Sequence, residues 1–166
     1  MINLESLLIV SDKFNGFPDT IANLRKLKHL SISSIQLDCI PDIIGRLTGL
    51  TRLTISFDQL STLPESIGNL INLEELIIWN SQITSVPESI GNLINLKKLS
   101  IWDSQITSLP ESMGNLKNLG ALKISTIQKL EIPEFIKSLP KIYRIYNGYI
   151  DPISKSLRSH TIEIKK

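Results

Sequence analysis

Hydrophobic and polar residues follow a pattern along this chain that repeats with a period of 23. Each block holds a stretch of the form L-x-x-L-x-I, then a polar turn, then a segment close to L-P-x-x-I-G-x-L. Because side chains on a strand point alternately to its two faces, the first stretch predicts a short strand with its leucines turned toward a core. The proline fits the first turn of a short helix or 3₁₀ segment, where its missing N–H needs no partner. The strand stretches begin at Leu27, Leu50, Leu73, Leu96 and Leu119.

The repeat is clearest in residues 63–85 and 86–108, which are identical at 18 of 23 positions. Self-similarity at a fixed period of this length predicts an array in which each unit packs on its neighbours. We therefore expect one domain over residues 1–166, with a C-terminal cap that contains a strand at 161–164. Six prolines mark the phase: Pro18, Pro41, Pro64, Pro87, Pro110 and Pro133. The predicted units are a partial repeat (1–16), six repeats (17–39, 40–62, 63–85, 86–108, 109–131, 132–154) and the cap (155–166).

The strand stretch followed by L-P-x-x-I-G-N-L resembles the leucine-rich-repeat family, in the 23-residue class found in bacterial proteins and in intracellular Ras-related scaffolds. The resemblance extends from residue 1 to about residue 154. It implies an α/β fold, a leucine-rich-repeat solenoid. In this fold the chain forms a right-handed superhelix with a concave parallel β-sheet and short convex helices or 3₁₀ turns.

The sequence departs from the family at the position after each strand, where family members usually carry Asn. Ser and Asp can accept a hydrogen bond from the backbone there, but isoleucine cannot. The repeats with Ile35 and Ile127 are therefore expected to satisfy those backbone groups through water or a local adjustment, and could be irregular. The residues at this position are Asp12, Ile35, Asp58, Ser81, Ser104, Ile127 and Ile150.

Charge and cysteine content exclude several classes of partner and compartment. The net charge is +2, from 18 Lys and Arg against 16 Asp and Glu, which is too small to favour nucleic acid or a membrane surface as the main partner. No apolar run reaches the length of a membrane span. Cys39 is the single cysteine, so an intramolecular disulfide is impossible, which favours a reducing compartment or a bacterial origin. Localisation stays open between a cytoplasmic and a secreted bacterial protein.

Side chains that support catalysis do not converge in the sequence. The chain has no phosphate-binding glycine loop, no H-E-x-x-H, no G-x-S-x-G and no C-x-x-C motif. His29 and His160 lie far apart in repeat phase, and Cys39 occupies an ordinary exposed position. Acidic residues that recur after the prolines are expected to begin the helical turns, where negative charge complements the helix dipole; they are Glu65, Glu88 and Glu111. We therefore predict no enzyme activity, no cofactor and no metal site.

Strand parity predicts a contact surface on the concave face. With Leu76 turned inward, Ile77 and Trp79 face outward, and Trp102 has the same phase one repeat later. Adjacent strands lie about 4.8 Å apart, so the two indoles are expected side by side. Trp is enriched at interface hot spots, where it anchors a partner. The predicted partner-binding residues are Trp79, Trp102, Ile77, Arg52, Glu75, Lys98, Ser56 and Ser100.

Residues in the same phases of other repeats are expected to frame this surface. Ser33 and Ser125 continue the column of the indoles as a polar rim, Arg144 continues the column of Lys98, and Phe57 and Tyr149 flank the patch. Two simpler interpretations compete with a binding role. The rings could stack only to cover the sheet, or duplication of one block could have copied its tryptophan.

The resemblance implies a non-enzymatic module that binds a protein partner on the concave face, first in a bacterial protein that contacts host molecules. An intracellular signalling scaffold is the second setting. Other classes stay open: the recognition arm of a larger enzyme, or a self-assembling structural element. The chain begins directly on a strand. We expect either that it was cut from a longer array, which is the preferred interpretation, or that the open edge of this strand pairs with another copy and allows homo-oligomers.

Overall fold

The computed structural model is an eight-stranded sheet with one short helix between most neighbouring strands, and it describes residues 3–14, 16–131, 133–138, 143–147 and 161–164. Strands follow one another in chain order, and β1 to β7 are parallel. The strands are β1 (Ser6–Val10), β2 (His29–Ser34), β3 (Arg52–Phe57), β4 (Glu75–Trp79), β5 (Lys98–Ser104), β6 (Ala121–Thr126), β7 (Tyr143–Asn147) and β8 (Thr161–Ile164). The predicted leucine-rich-repeat solenoid is confirmed.

The helical segments are short 3₁₀ helices of a single turn or slightly more, and none of those described is an α-helix. Each of the first five begins directly after a proline whose backbone is extended, as the sequence predicts. They span Asp19–Asn23, Asp42–Arg46, Glu65–Asn69, Glu88–Asn92, Glu111–Asn115 and Glu134–Ser138. Strands therefore lie on one side of the solenoid and 3₁₀ turns on the other.

The core is a stack of identical positions from successive repeats. Leu53, Leu76 and Leu99 are fully buried, and their Cα atoms are paired from strand to strand. Leucines from the 3₁₀ side complete each layer, so every repeat closes its core only against its neighbours. At roughly 1.5 to 3 kcal/mol for each buried side chain, this column is the main stabilising term of the fold.

Glycine allows neighbouring 3₁₀ turns to approach one another. A Cβ atom on Gly68 would lie 2.5 Å from the carbonyl oxygen of Ser89, and the same clash recurs one repeat later at Gly91 with Ser112. No side chain fits at such a distance, so glycine is required there. Glycine at this phase thus permits the close backbone approach of neighbouring turns.

Polar ladders join successive repeats on the same side. Asn95 Nδ2 donates to the Ile71 carbonyl oxygen at 2.9 Å, and Asn72 and Asn118 make the same bond in the flanking repeats. The carboxylate of Glu65 accepts a hydrogen bond from the Ser89 N–H at 3.2 Å, and Glu88 repeats this contact with Ser112 at 3.3 Å. The acidic residues thus begin their own helical turns, as predicted, and also hold the next turn.

In the repeats with isoleucine after the strand, the residue before the isoleucine carries a hydroxyl group that makes the hydrogen bond to the backbone. Ile35 and Ile127 are exposed, whereas Ser34 and Thr126 are buried. Ser34 Oγ donates to the Phe14 carbonyl oxygen at 2.9 Å, and Thr126 Oγ1 donates to a carbonyl oxygen of the preceding repeat at 2.9 Å. The expected local adjustment is confirmed. The repeat with Ile35 is regular, since β2 pairs with β3 without a shift. In the repeat with Ile127, the strand β6 pairs with β5 through a register shift, so that repeat is irregular.

The last repeat also departs from the predicted phase. Arg144 pairs with Lys123 and Tyr146 pairs with Ser125. The paired residues are therefore separated along the chain by two positions less than the period of 23. The prediction that Arg144 continues the column of Lys98 is therefore wrong, because its Cα lies two positions further along the strand. Strand β8 pairs antiparallel with β7, as the C-terminal cap requires. Residues 155–160, 165 and 166 of the predicted cap lie outside the described residues.

Candidate functional site

The two tryptophans of the chain stack on one another. The ring centroids of Trp79 and Trp102 are 5.5 Å apart, and the planes differ by 10°. This is the offset parallel arrangement that aromatic rings favour. Trp79 is 41% exposed and Trp102 is half-buried, so both rings lie outside the leucine core. The side-by-side arrangement predicted from strand parity is confirmed.

A β-bulge follows the tryptophans. Ile101 pairs with Ile124, a full period later, but Ser104 pairs with Thr126, one position short of a period. The extra residue is Asp103, which has a φ of 53°. Bulges of this kind bend a strand and redirect its side chains.

The preceding repeat shares this left-handed backbone. Asn80, directly after Trp79, has a φ of 49° and corresponds to Asp103. Asn and Asp tolerate this conformation better than other non-glycine residues. The sequence signal is therefore the Trp-Asn and Trp-Asp pairs, which replace Ser-Ser, Ser-Phe and Ser-Thr in the other repeats.

A ladder of charge crosses the start of three strands. Glu75 accepts from Arg52 Nε at 2.5 Å and from Lys98 Nζ at 2.5 Å. The glutamate side chain is 17% exposed, whereas those of Arg52 and Lys98 are 55% and 38% exposed. The hydrogen bond from Lys98, followed by that from Arg52, lowers the pKa of Glu75, although partial burial opposes this change. Glu75 is thus a charged centre held between two cations.

A shallow depression of about 330 Å³ lies beside this ladder. The exposed pair Lys97 and Glu74, with 2.8 Å between Nζ and Oε2, forms part of its wall. Five of its seven lining residues are Lys, Arg or Glu, the other two are His29 and Thr51, and no apolar residue contributes to it. The depression therefore suits a polar contact and lacks the apolar walls of a small-molecule pocket.

The remaining predicted contact residues divide into accessible and buried ones. Ile77 and Ser56 are half-buried on the outward face, where a partner can reach them. Ser100 is only 2% exposed, so we leave it out of the proposed contact surface. Ser125 and Phe57 are buried as well, so neither adds to the predicted rim or patch, because Phe57 takes a core position. Tyr149 lies outside the described residues.

A glutamine column beside the tryptophans was missed by the sequence reasoning. Gln105 Nε2 donates to Gln82 Oε1 across the two bulged repeats. Glutamine recurs at this phase in five successive repeats, a signal that the leucine pattern obscures. The members are Gln36, Gln59, Gln82, Gln105 and Gln128, all exposed or half-exposed.

Groups that could support other chemistry are sparse in the described part of the chain. Within it, no three His, Cys, Asp or Glu side chains are close enough to hold a metal ion. Cys39 is exposed, as predicted, and a hydrogen bond with Asp38 raises the pKa of its thiol. Among the helices described, none has the length and apolar character of a membrane span.

A family profile described as a leucine-rich repeat region matches residues 66–157, more than half of the chain. This chain belongs to the leucine-rich-repeat family. The match covers both tryptophans and the repeats around them. Domains of this family act commonly as protein–protein interaction modules. None of the curated proteins compared with the chain matches it.

Solved leucine-rich-repeat structures from bacteria are similar to this one. A protein of Leptospira interrogans is 27% identical with a TM-score of 0.66 and covers 75% of this chain, which in turn spans 34% of that protein. The leucine-rich-repeat domain of the type III effector XopL is 23% identical, with a TM-score of 0.58; the match covers 83% of this chain and 66% of that domain. Internalin C2 of Listeria monocytogenes is 21% identical, with a TM-score of 0.58; the match covers 76% of this chain and 55% of internalin C2. The last two support the fold alone.

Proposed function

We propose that this leucine-rich-repeat domain is a non-enzymatic module that binds a protein partner on its strand face, with the Trp79–Trp102 stack as the anchor. The observation that carries the proposal is the exposure of Trp79 at a strand position where β2, β3 and β6 hold serine, namely Ser33, Ser56 and Ser125. A tryptophan side chain buries roughly 150 to 250 Å² when it is covered. Leaving it in water has no folding benefit, since the core is complete beneath it.

The charged ladder would set the orientation of the partner. Arg52 and Lys98 keep exposed cationic groups on the same face, at the start of strands whose far ends approach the indoles. Each strand residue rises about 3.3 Å, so anchor and ladder are separated by roughly 13 Å. One partner segment of modest size can contact both. Ile77 lies between them and supplies apolar surface.

The similarity to the Leptospira protein supports a setting in a bacterium. Contact with host molecules is part of the proposal. The chain spans about a third of the Leptospira protein, so the activity of a whole protein, including that of a larger enzyme, is outside this proposal. An intracellular scaffold would use the same face. The chemistry of the anchor is common to both settings.

The test compares capture of a partner by the wild-type domain and by the double variant Trp79→Ser and Trp102→Ser. Serine occupies the same phase at Ser33 and Ser56, so the variant is expected to fold. Loss of an anchor costs about 2 kcal/mol or more, which is roughly a 30-fold weaker Kd. Equal affinity of variant and wild type would refute the proposal.

A matched control removes exposed apolar surface elsewhere. Ile71 and Ile94 occupy one phase in the same two repeats, before the strands, and are 52% and 56% exposed. The double variant Ile71→Ser and Ile94→Ser is expected to bind the partner as the wild type does. A loss in the control equal to that in the tryptophan variant would indicate a general surface effect instead of an anchor.

Self-association is a second candidate, which the exposure of strand β1 favours. Leu8 and Val10 are each 69% exposed there, and unpaired strand edges with apolar side chains favour pairing with another chain. Light scattering over a range of concentrations tests this. A mass that stays that of one chain at every concentration would remove this candidate.

A further inference from the structure

Trp79 is the open end of the aromatic stack. One face of its indole packs on Trp102, and its Cα is paired on the other side with Ser56 of β3. The next residue in the column is Ser33, which pairs with Ser56. A serine is too small to cover an indole, which agrees with the 41% exposure of Trp79. The free face of the ring therefore looks over two small residues, with space for another planar group.

The turns that follow the strands give this end of the face a negative charge. Four strand-to-turn segments, 33–41, 56–64, 79–87 and 102–110, contain three aspartates and no Lys, Arg or Glu. All three aspartates are exposed, and no ion pair of the described residues includes them. Asp58 comes directly after β3, and Asp103 directly after Trp102. The third is Asp38.

The opposite end of the same strands has the opposite charge. Segments 25–29, 48–52, 71–75 and 94–98 contain six Lys or Arg and two Glu. The face is therefore polarised along its strands, basic where they begin and acidic where they end. A cationic group is favoured beside the indoles, and an anionic group is favoured at the far end.

We propose, building on the proposed function, that the open face of Trp79 binds an arginine side chain of the partner. The guanidinium would lie flat above Ser56 as a third layer on the stack, and Asp58, two residues after Ser56, would supply a negative charge at the same end of β3. Trp is the best aromatic partner for a cation. The planar guanidinium stacks on an aromatic ring as well as carrying a charge, whereas the ammonium of lysine offers only the charge. A basic, arginine-containing segment is thus the partner chemistry that this surface fits.

The experiment titrates the whole chain with capped peptides of the sequence Gly-Arg-Gly, Gly-Lys-Gly and Gly-citrulline-Gly, while the tryptophan fluorescence is recorded. The chain has only two tryptophans, and both are in the stack, so the signal reports on this site alone. Citrulline keeps the planar shape of arginine without its charge. The arginine peptide is expected to bind about three- to tenfold more tightly than the citrulline peptide. Equal binding of the two would overturn the inference, as would the absence of any saturable response to arginine.

Two variants with the same change in net charge separate a local effect from a general one. Asp58→Asn removes a charge beside the stack and is expected to weaken arginine binding about two- to threefold. Glu74→Gln removes an exposed charge at the far end and is expected to leave it unchanged. Equal weakening in both would overturn the local role of Asp58.

Failure here can be distinguished from failure of the proposed function. If the double tryptophan variant loses a partner that contacts the stack through uncharged or acidic residues, the anchor stands and the arginine inference falls. If that variant binds every partner as the wild type does, the proposal that the Trp79–Trp102 stack anchors a partner is refuted, whatever the result with the peptides.

Discussion

Lys98 donates a hydrogen bond to Glu75 across two neighbouring strands, with 2.5 Å between Nζ and Oε1. The two residues are 23 positions apart, so the pair is a direct product of the repeat: the same phase carries a glutamate in one block and a lysine in the next. This hydrogen bond lowers the pKa of the Glu75 carboxyl group, although the partial burial of that group opposes the change. The contact therefore links stability to pH.

Replacing Glu75 with Gln should reduce stability at neutral pH and have a smaller effect in acid. The folded-state pKa lies below the ordinary value of 4.5, so the contribution of the carboxylate is complete above about pH 4.5 and is lost as the pH falls through the folded pKa. We expect Glu75→Gln to lower the free energy of unfolding by about 1 kcal/mol at pH 7, since its partners are partly exposed. Urea unfolding from about pH 7 to pH 3 measures the difference.

The control for this prediction is Glu74→Gln. Glu74 pairs with Lys97 in the adjacent phase, but both side chains are about half-exposed or more. We expect almost no change in stability at any pH, as is usual for an exposed pair. A difference between Glu75→Gln and wild type that grows as the pH falls would contradict the argument.

Replacing Gly68 with Ala should destabilise the solenoid. The added Cβ would lie 2.5 Å from the Ser89 carbonyl oxygen and 2.6 Å from the Ser89 Cβ, so two neighbouring turns must separate. Overpacking of this kind costs typically about 1 to 3 kcal/mol. Thermal unfolding followed by circular dichroism measures the change.

Gly114 provides the matched comparison in the same repeat phase. There the nearest atom to an added Cβ is Phe135 Cβ at 3.4 Å, an ordinary contact. Gly114→Ala is therefore expected to be neutral or to stabilise by roughly 0.5 kcal/mol through the unfolded chain. Similar losses at Gly68 and Gly114 would show that backbone conformation, and not the close approach, requires glycine.

Replacing Ser104 with Ala should cost more than the same change at Ser81, one repeat earlier. Both serines are 1% exposed, but Ser104 Oγ donates to the Ser125 carbonyl oxygen at 2.9 Å, whereas Ser81 Oγ has no partner among the described residues. The strand next to Ser104 is β6, in which no residue has a left-handed backbone. The carbonyl oxygen of Ser125 in β6 is therefore within reach of Ser104 Oγ. Loss of this buried bond is worth about 1 to 3 kcal/mol.

The measurement for this pair is urea unfolding of both single variants. Ser81→Ala is expected to change the free energy of unfolding by less than about 0.5 kcal/mol. Equal costs at the two positions would indicate that the hydroxyl of Ser81 is also hydrogen-bonded in solution. The comparison tests the bulge directly, since only the neighbouring strand differs.

Most of the fold was predictable because every repeat obeys the same local rules. The L-x-x-L-x-I stretch formed strands with buried Leu76 and Ile78, and the proline was followed directly by a helical turn. The adjacency of Trp79 and Trp102 followed from strand parity and a shared phase. These features depend on short-range sequence and on contact with the nearest neighbour only.

Other features depended on how neighbouring repeats adapt to one another. The burial of Ser100 could not be read from parity, because Ser100 lies on the outward side of its strand and is covered by neighbouring side chains. The burial of Phe57, in contrast, agrees with parity, since Phe57 alternates in step with Leu53 and Ile55. The bulge at Asp103 and the shortened register of β7 are likewise outcomes of strand pairing. Local pattern does not specify such shifts, because a bulge is defined by how the residues of one strand pair with those of the next strand.

The amino-acid pattern alone specified the architecture: a period of 23, a leucine column and two tryptophans in one phase on the outer face. The folded chain was needed to establish which outer residues reach solvent, how the indoles stack, and that Glu75 lies between two cations. The physical reason is the distance along the chain over which each interaction acts. Alternation and turn chemistry act within one repeat, whereas exposure, stacking and ion pairing depend on the side chains that the next repeats bring alongside.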